Sequence, residues 1–327
     1  MNAELHTAPN TSQEGTAKFR KEVIEGLKSI PKRLSSKYLY DEIGDQLFQQ
    51  IMAMPEYYLT KCELDIFKNR TADLAAVMTK DSTPFDLIEL GAGDAVKSSY
   101  LLKYLTNHGV DLTYMPIDIS GHILAELDNR LQVEIPDLKV VPLAGEYFEM
   151  LASAKSLSSK RKVVLFLGGN IGNMELDEIT HFCNSLRDNL TPEDILLIGF
   201  DLKKNPHTIL NAYNDNTGIT AAFNLNLLTR MNLELAGNFD REQFEHYQTY
   251  DPISGACRSF LISLKKQVVH INETVISFEE NEVINVEVSQ KFSKDDIASL
   301  ANQTGFEHLT SIEDSKGWFV DAIWRTK

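Results

Sequence analysis

The sequence predicts an α/β protein: a doubly wound, mostly parallel sheet closed by a C-terminal antiparallel hairpin, with a second, inserted α+β domain. Three observations predict it. From Phe85 to Leu202, short apolar runs alternate with amphipathic helical segments, the pattern of strands buried on both faces by helices. After Leu202 the alternation stops. There "ACRSFLISLKKQVVHI" and "ETVISFEENEVINVEVSQKF" carry polar residues at alternate positions, as half-exposed antiparallel strands do. The chain then closes with a helix and a hairpin, where a dinucleotide fold would supply another parallel strand and helix.

The elements follow in order. Residues 1–15 are polar and read as a flexible tail, and they lack the basic start and apolar centre of a signal peptide. "EVIEGLKSIPKRLSSKYLYDEIGDQLFQQIMAM" is helical in spacing, interrupted around Pro31, with Leu47, Phe48, Ile51 and Met54 on one stripe. "TKCELDIFKNRTADLAAVM" reads as one helix with Leu64, Phe67, Leu74 and Val77 inward. Five strands follow: "FDLIEL", "LTYMPIDI", "LKVVPLAG", "KVVLFLGG" and "DILLIGFDL". "PHTILNAYNDNTGITAAFNLNLLTRMNLEL" is helical with a polar interruption. Near the end, Ser293 caps a helix with Asp296 at its third position, and Gly305 stops it. "EHLTSIEDSKGWFVDAIWRT" is a hairpin around Lys316 and Gly317. The domains expected are 63–202 with 288–327, and 16–62 with 203–287.

Bulk properties narrow the function. The net charge of −15 gives no counterion-release drive toward nucleic acid or an anionic membrane. No apolar run is long enough to span a bilayer. Three cysteines, none in C-x-x-C spacing, argue against a disulfide framework or a zinc knuckle and suit a reducing compartment. A cytoplasmic monomer acting on a small molecule, with no metal, is the expectation.

The stretch "FDLIELGAGDAVKSSYLLKYL" is a strand, a glycine turn and a helix, so it raises the question of its ligand. "GAGDAVKS" matches a phosphate loop except at Val96, where a β-branched residue replaces the glycine that lets backbone N–H groups wrap phosphates. The dinucleotide fingerprint lacks its third glycine at the same position. Asp94 and Glu89 would repel phosphate in either case. S-adenosylmethionine fits better, because it carries an ammonium, a ribose diol and an adenine but no phosphate. Glu89 with Gly91 and Gly93 suits the ammonium, and Asp118 ending the second strand suits both ribose hydroxyls. Glu146 and Tyr147 after the third strand suit the adenine amino group and ring face. The bland alternative is three solvated carboxylates on loops.

The motifs "PKRLSSKYLYDEIGDQLFQQI", "MPEYYLTKCE", "IELGAGDAVKS", "FLGGNIGNM", "AYNDNTGITAAFNLNLL" and "VEVSQKF" together resemble the histidine Nα-methyltransferases of ergothioneine biosynthesis, from about Pro31 to the C-terminus. The resemblance implies a class I, Rossmann-like methyltransferase fold with an inserted substrate-binding domain. It implies cofactor contacts at Gly91, Lys97, Asp118, Glu146 and Tyr147, with Lys97 pairing the cofactor carboxylate. Asp-Phe is common in the family where Glu146-Tyr147 stands here. It places the amino-acid backbone against Tyr57, Asn173, Tyr213 and Thr220, with Tyr40 and Phe48 lining the cavity. It places the side chain against Glu287 and Ser289, with Ser259 where the family has a methionine. The amine must lose a proton before each transfer, and a tyrosine hydroxyl (Tyr40 or Tyr57) or water is the expected route. The rival from another class is a ligand-sensing module on the same fold; a dehydrogenase is a further rival.

Overall fold

The computed structural model describes residues 6–7 and 12–327. The expected tail lies outside the described residues except at positions 6–7 and from Ser12. The first elements are β1 (His6–Thr7), α1 (Ser12–Lys28), β2 (Lys32–Arg33), a 3-10 turn (Ser36–Leu39), α2 (Glu42–Ala53), α3 (Leu59–Asn69) and α4 (Thr71–Met78). Next come β3 (Phe85–Leu90), α5 (Ser98–Asn107), β4 (Leu112–Asp118), α6 (Gly121–Glu134), β5 (Lys139–Val140), β6 (Leu143–Ala144), α7 (Tyr147–Leu157), β7 (Arg161–Phe166), α8 (Leu176–Asp188) and β8 (Ile195–Asp201). Then follow α9 (Pro206–Tyr213), α10 (Ile219–Leu235), β9 (Phe244–Tyr250), β10 (Ala256–Ser263), β11 (Gln267–Ile271), β12 (Thr274–Phe278) and β13 (Val283–Gln290). The chain finishes with α11 (Lys294–Gln303), β14 (Phe306–Glu313) and β15 (Phe319–Thr326).

Contacts divide the chain into two compact units. Unit 1 holds β1, Leu59–Leu202 and Phe292–Lys327; unit 2 holds α1 through Tyr58 and Lys203–Lys291. The sheet of unit 1 runs β1-β6-β4-β3-β7-β8-β15-β14, with β5 also paired to β4. The strands from β3 to β8 pair in parallel, whereas β15 lies antiparallel to both β8 and β14. This is the doubly wound sheet with a terminal hairpin that the alternating pattern predicts. All six residues of β3 and all seven of β8 are buried, as strands covered on both faces must be. One core face joins Ile88, Ile117, Val164 and Ile198 to Phe182 and Leu186 of α8 and to Leu300 and Trp324.

Unit 2 is built on a four-stranded sheet, β2-β13-β10-β9, and a β11-β12 ribbon. Burial alternates along β10 and most of β13, the half-exposed pattern read from the sequence. Helix α10 buries Phe223, Leu227, Leu228 and Met231.

One expected helix is two. The run from Leu59 to Met78 breaks at Arg70 (φ −122°, ψ 20°), where the Thr71 hydroxyl donates to the Phe67 carbonyl and diverts it from the helical ladder. The inward stripe of α3 is Cys62, Glu63, Ile66 and Phe67, so Leu64 is half-buried and an acid takes a core position. The three cysteines are buried and form no disulfide. Among the described residues no helix is long and apolar enough to cross a membrane.

Candidate functional site

In unit 1 the chain leaves β3 for β4 on one side, and β7 lies on the other. That makes the C-terminal end of β3 a topological switch point, the place where open α/β sheets leave a crevice. The glycine turn opens there. Gly91 N and Ala92 N donate to the Ile117 carbonyl at 2.9 and 3.1 Å, pinning the turn to the end of β4. Gly91 has φ +69°, and a Cβ there would sit 2.7 Å from the Tyr147 hydroxyl, so both conformation and space require glycine. Gly93 (φ +50°) has open space above it and donates its N–H to Asp118 Oδ2 at 3.1 Å. Asp118 Oδ1 accepts from Ser120 N at 3.0 Å. Two backbone donors therefore fix the carboxylate while each oxygen keeps a lone pair for another donor. Glu146 takes the N-cap position of α7 but does not use its side chain as the cap. The Tyr147 phenol is pushed up to about 12 by burial and by the carboxylates of Asp118 and Glu146. The turn, Asp118, Glu146 and Tyr147 thus form one cradle, acidic where a phosphate would need donors. It suits a nucleoside with a free diol.

Beneath the turn lies a buried charge cluster. Glu63 accepts the Gly168 N–H on both oxygens, at 2.7 and 2.9 Å, and pairs with Lys97. Burial works against the Lys97 charge, and the Glu63 carboxylate overcomes it. Asp321 on β15 is wholly buried with neither carboxylate oxygen paired, and burial together with Glu63 raises its pKa well above normal. Glu89 is turned inward to the Tyr114 hydroxyl at 2.5 Å, and burial lifts its pKa to about 7. It therefore anchors the strand end to β4 and Ser98. Asn173 belongs to unit 1, in the 3-10 turn Asn170–Asn173 that follows Gly168 and Gly169, both at positive φ.

In unit 2 a second group converges. Aromatic rings form a continuous wall: Tyr40–Phe48 at 5.3 Å, Tyr40–Phe223 at 5.5 Å, Phe48–Tyr57 at 6.2 Å and Tyr57–Tyr213 at 6.2 Å between centroids. Ser259 and Glu287 face each other across β10 and β13, next to a register shift that re-aims the strand. Part of Glu287 remains accessible, yet the depth of protein around it raises its pKa to about 7, against the pull of Lys291 and of the Ser259 hydroxyl. Tyr213 Oη and Ser289 Oγ lie 2.8 Å apart. Lys291, fully buried, donates to both at 2.8 Å and lies 4.8 Å from the Tyr213 ring centroid. Thr220 stands in the first turn of α10, where Asp215 accepts its N–H at 2.8 Å and, against the push of burial, holds its carboxylate below the usual range with the Thr217 and Thr220 hydroxyls beside it.

A profile of the family described as histidine-specific, SAM-dependent methyltransferases matches residues 19–326. The chain belongs to this family. It is an S-adenosylmethionine-dependent methyltransferase. It is 32% identical over 92% of both chains to the histidine N-alpha-methyltransferase of Mycolicibacterium smegmatis. It is 30% identical to that of Mycobacterium tuberculosis, over 93% of this chain and 94% of the other. It is also 31% identical over 92% of its length to ergothioneine biosynthesis protein 1 of Neurospora crassa, a match to 33% of that longer protein.

The surroundings of Tyr40 and Tyr57 bear on the expected proton route. Tyr57 is buried and Tyr40 keeps 37% of its surface accessible, yet the depth of protein around each, with Glu287 nearby, pushes both phenols up. Both phenols are held neutral, so they suit hydrogen-bond donation and are poor proton acceptors near neutrality. Sequence reasoning also missed residues: Glu63 and Asp321 under the turn, Phe223 in the aromatic wall, Asp215 at the start of α10, and Lys291. The one signal available was position. Glu63 stands one turn before Phe67 on an apolar stripe, and Lys291 stands two residues after Ser289 at the end of β13.

Asp118→Ala should weaken S-adenosylmethionine binding by about 1–3 kcal/mol, as expected for hydrogen bonds to a charged acceptor. Isothermal calorimetry on the two proteins measures it; equal affinity would remove Asp118 from the cofactor contacts.

Proposed function

We propose that the protein methylates the α-amine of free L-histidine, carrying it to the trimethylated betaine, and serves ergothioneine biosynthesis. The observation that carries this reading is the polar end of the unit 2 cluster. Glu287, Ser259 and Ser289 offer a carboxylate and two hydroxyls beside the aromatic wall and the Lys291 ammonium. An imidazole has two ring nitrogens that need such partners. The names of the mycobacterial and fungal relatives support the same substrate.

When bound, S-adenosylmethionine supplies an electrophilic methyl group on a sulfonium. The protein's part is positioning and exclusion of water. Asp118 takes the ribose diol, Glu146 and Tyr147 take the adenine, and Gly91 and Gly93 let the backbone approach. Lys97 keeps its proposed role at the cofactor carboxylate, poised by Glu63. Tyr57 and Tyr213 donate to the substrate carboxylate, Thr220 supplies a further hydroxyl, and Asn173 accepts from the amine. Phe48 and Tyr40 give the growing alkylammonium a π-rich wall. With the phenols held neutral, the amine proton leaves to water. The protein is proposed to act as a cytoplasmic monomer.

Release of S-adenosylhomocysteine with a panel of amino acids tests the proposal. Wild type should give its highest kcat/KM with histidine. Ser259 makes the pocket wetter than a methionine would, so Ser259→Met should change the ranking among histidine, tryptophan and tyrosine. If wild type prefers another amino acid and Ser259→Met raises histidine turnover, the substrate is different. Cofactor binding with no turnover of any amino acid would instead point to a sensing module.

A further inference from the structure

Lys291 has no place in the reaction as described so far, and its surroundings give it one. The three polar atoms Lys291 Nζ, Tyr213 Oη and Ser289 Oγ form a triangle with 2.8 Å sides. A lysine ammonium only donates, so both hydroxyl oxygens accept from it. The edge between the two hydroxyls holds a single hydrogen, given by one of them. The other hydroxyl hydrogen must then go to a group outside the triangle. The pair therefore presents one donor and one acceptor outward, and never two donors.

Only one of the two arrangements suits an amino-acid substrate whose carboxylate lies at Tyr213. Ser289 donates to Tyr213, Tyr213 donates outward to the carboxylate, and Ser289 is left with a lone pair that shares the single N–H of a neutral imidazole with Glu287, while the Ser259 hydroxyl donates to the bare ring nitrogen. In the reverse arrangement Tyr213 presents a lone pair, which a carboxylate repels. The ammonium lies close to the Tyr213 ring as well, and it opposes the upward push that burial exerts on Glu287 and Tyr57.

We propose that Lys291 is a positioning residue, which by donating to Tyr213 and Ser289 fixes the direction of their hydroxyls and so couples recognition of the substrate's carboxylate to recognition of its side chain. This deepens the reading of the protein as a histidine Nα-methyltransferase and rests on it for the identity of the substrate. The coupling between the three residues does not depend on which amino acid is used.

The test is a double-mutant cycle on the full chain, with Lys291→Met, Tyr213→Phe and the pair. Each variant is first titrated with S-adenosylhomocysteine to show an intact cofactor site. If Lys291 acts through Tyr213, Lys291→Met should raise KM for histidine about 10- to 100-fold, the range for a lost charge-assisted hydrogen bond. Tyr213→Phe should do the same, and the pair should lose little more than either single variant. Lys291→Gln restores two N–H donors without charge, so it should recover part of the KM loss. Losses that multiply across the cycle, or a Lys291→Met enzyme with wild-type KM, would overturn the proposal. Should Lys291→Met fail to bind S-adenosylhomocysteine, the decision passes to Lys291→Gln, where a wild-type KM that is still raised by Tyr213→Phe as much as in wild type also overturns it. If wild type turns over an amino acid other than histidine, the same cycle is run with that one. The substrate assignment then fails separately from the coupling.

Discussion

Glu287→Ala is expected to lower kcat/KM for histidine by about 1.5–3 kcal/mol, roughly 10- to 150-fold, with cofactor affinity unchanged. The carboxylate faces Ser259 across the strand pair, and Tyr40, Tyr57 and Lys291 all interact with it electrostatically. Its removal leaves an imidazole N–H without its charged acceptor. The pH profile carries a second signature. Burial raises the Glu287 pKa to about 7, so the acceptor form is lost as pH falls through that value. Wild-type kcat/KM should then fall below about pH 7 more steeply than protonation of the substrate's amine and imidazole requires. Glu287→Gln keeps an acceptor oxygen without a titration, and its profile should show only the limbs set by those two substrate groups. Steady-state kinetics from pH 6 to 9 on the three proteins decides; an unchanged acid limb in Glu287→Gln would assign that limb elsewhere.

The sheet was legible because its strands are buried on both faces, which writes continuous apolar runs such as "FDLIEL" and "DILLIGFDL" into the chain. The half-exposed strands of unit 2 were legible for the complementary reason, a period of two. The clustering of Asp118 and Glu146 could be read because the fold places strand ends together, so these acids needed only their sequence positions to be related. Lys291 and Glu63 could not be read this way. A lysine at a strand end and a glutamate on a helix are solvated in most proteins. Here the partners that keep them inside lie 78 residues away at Tyr213, and 34 and 105 residues away at Lys97 and Gly168. Burial of a charge is decided by such distant neighbours, and no local pattern records it. The upward push on the Tyr40 and Tyr57 phenols was hidden for the same reason, since the wall beside them includes Phe223 from α10.

Glu63→Ala should have the largest effect on stability, a loss of about 3 kcal/mol, the lower end of the range for breaking a buried ion pair, because the Lys97 side chain keeps 23% of its surface accessible. Glu63 is wholly buried over Gly199, where an added Cβ would meet Glu63 Oε1 at 2.3 Å. Its two oxygens satisfy the Gly168 N–H and the Lys97 ammonium together. Alanine would orphan both, and Lys97 would be left to Asp321, whose carboxyl oxygens have no hydrogen-bond partner and whose pKa is pushed up by burial. Burial and the Glu63 charge both push the Asp321 carboxyl up, so loss of Glu63 favours its ionisation beside Lys97. That new pair should return part of the loss as pH rises. Glu63→Ala/Asp321→Asn removes this recourse and should be less stable than Glu63→Ala at pH 8, with a smaller difference at pH 5. Glu63→Gln, which keeps the acceptor for Gly168, should lose less than Glu63→Ala. Urea denaturation at both pH values, followed by S-adenosylhomocysteine titration of the folded variants, measures each term. A Glu63→Ala protein as stable as wild type would mean that water replaces the carboxylate, and that the cluster is less enclosed than its buried oxygens indicate.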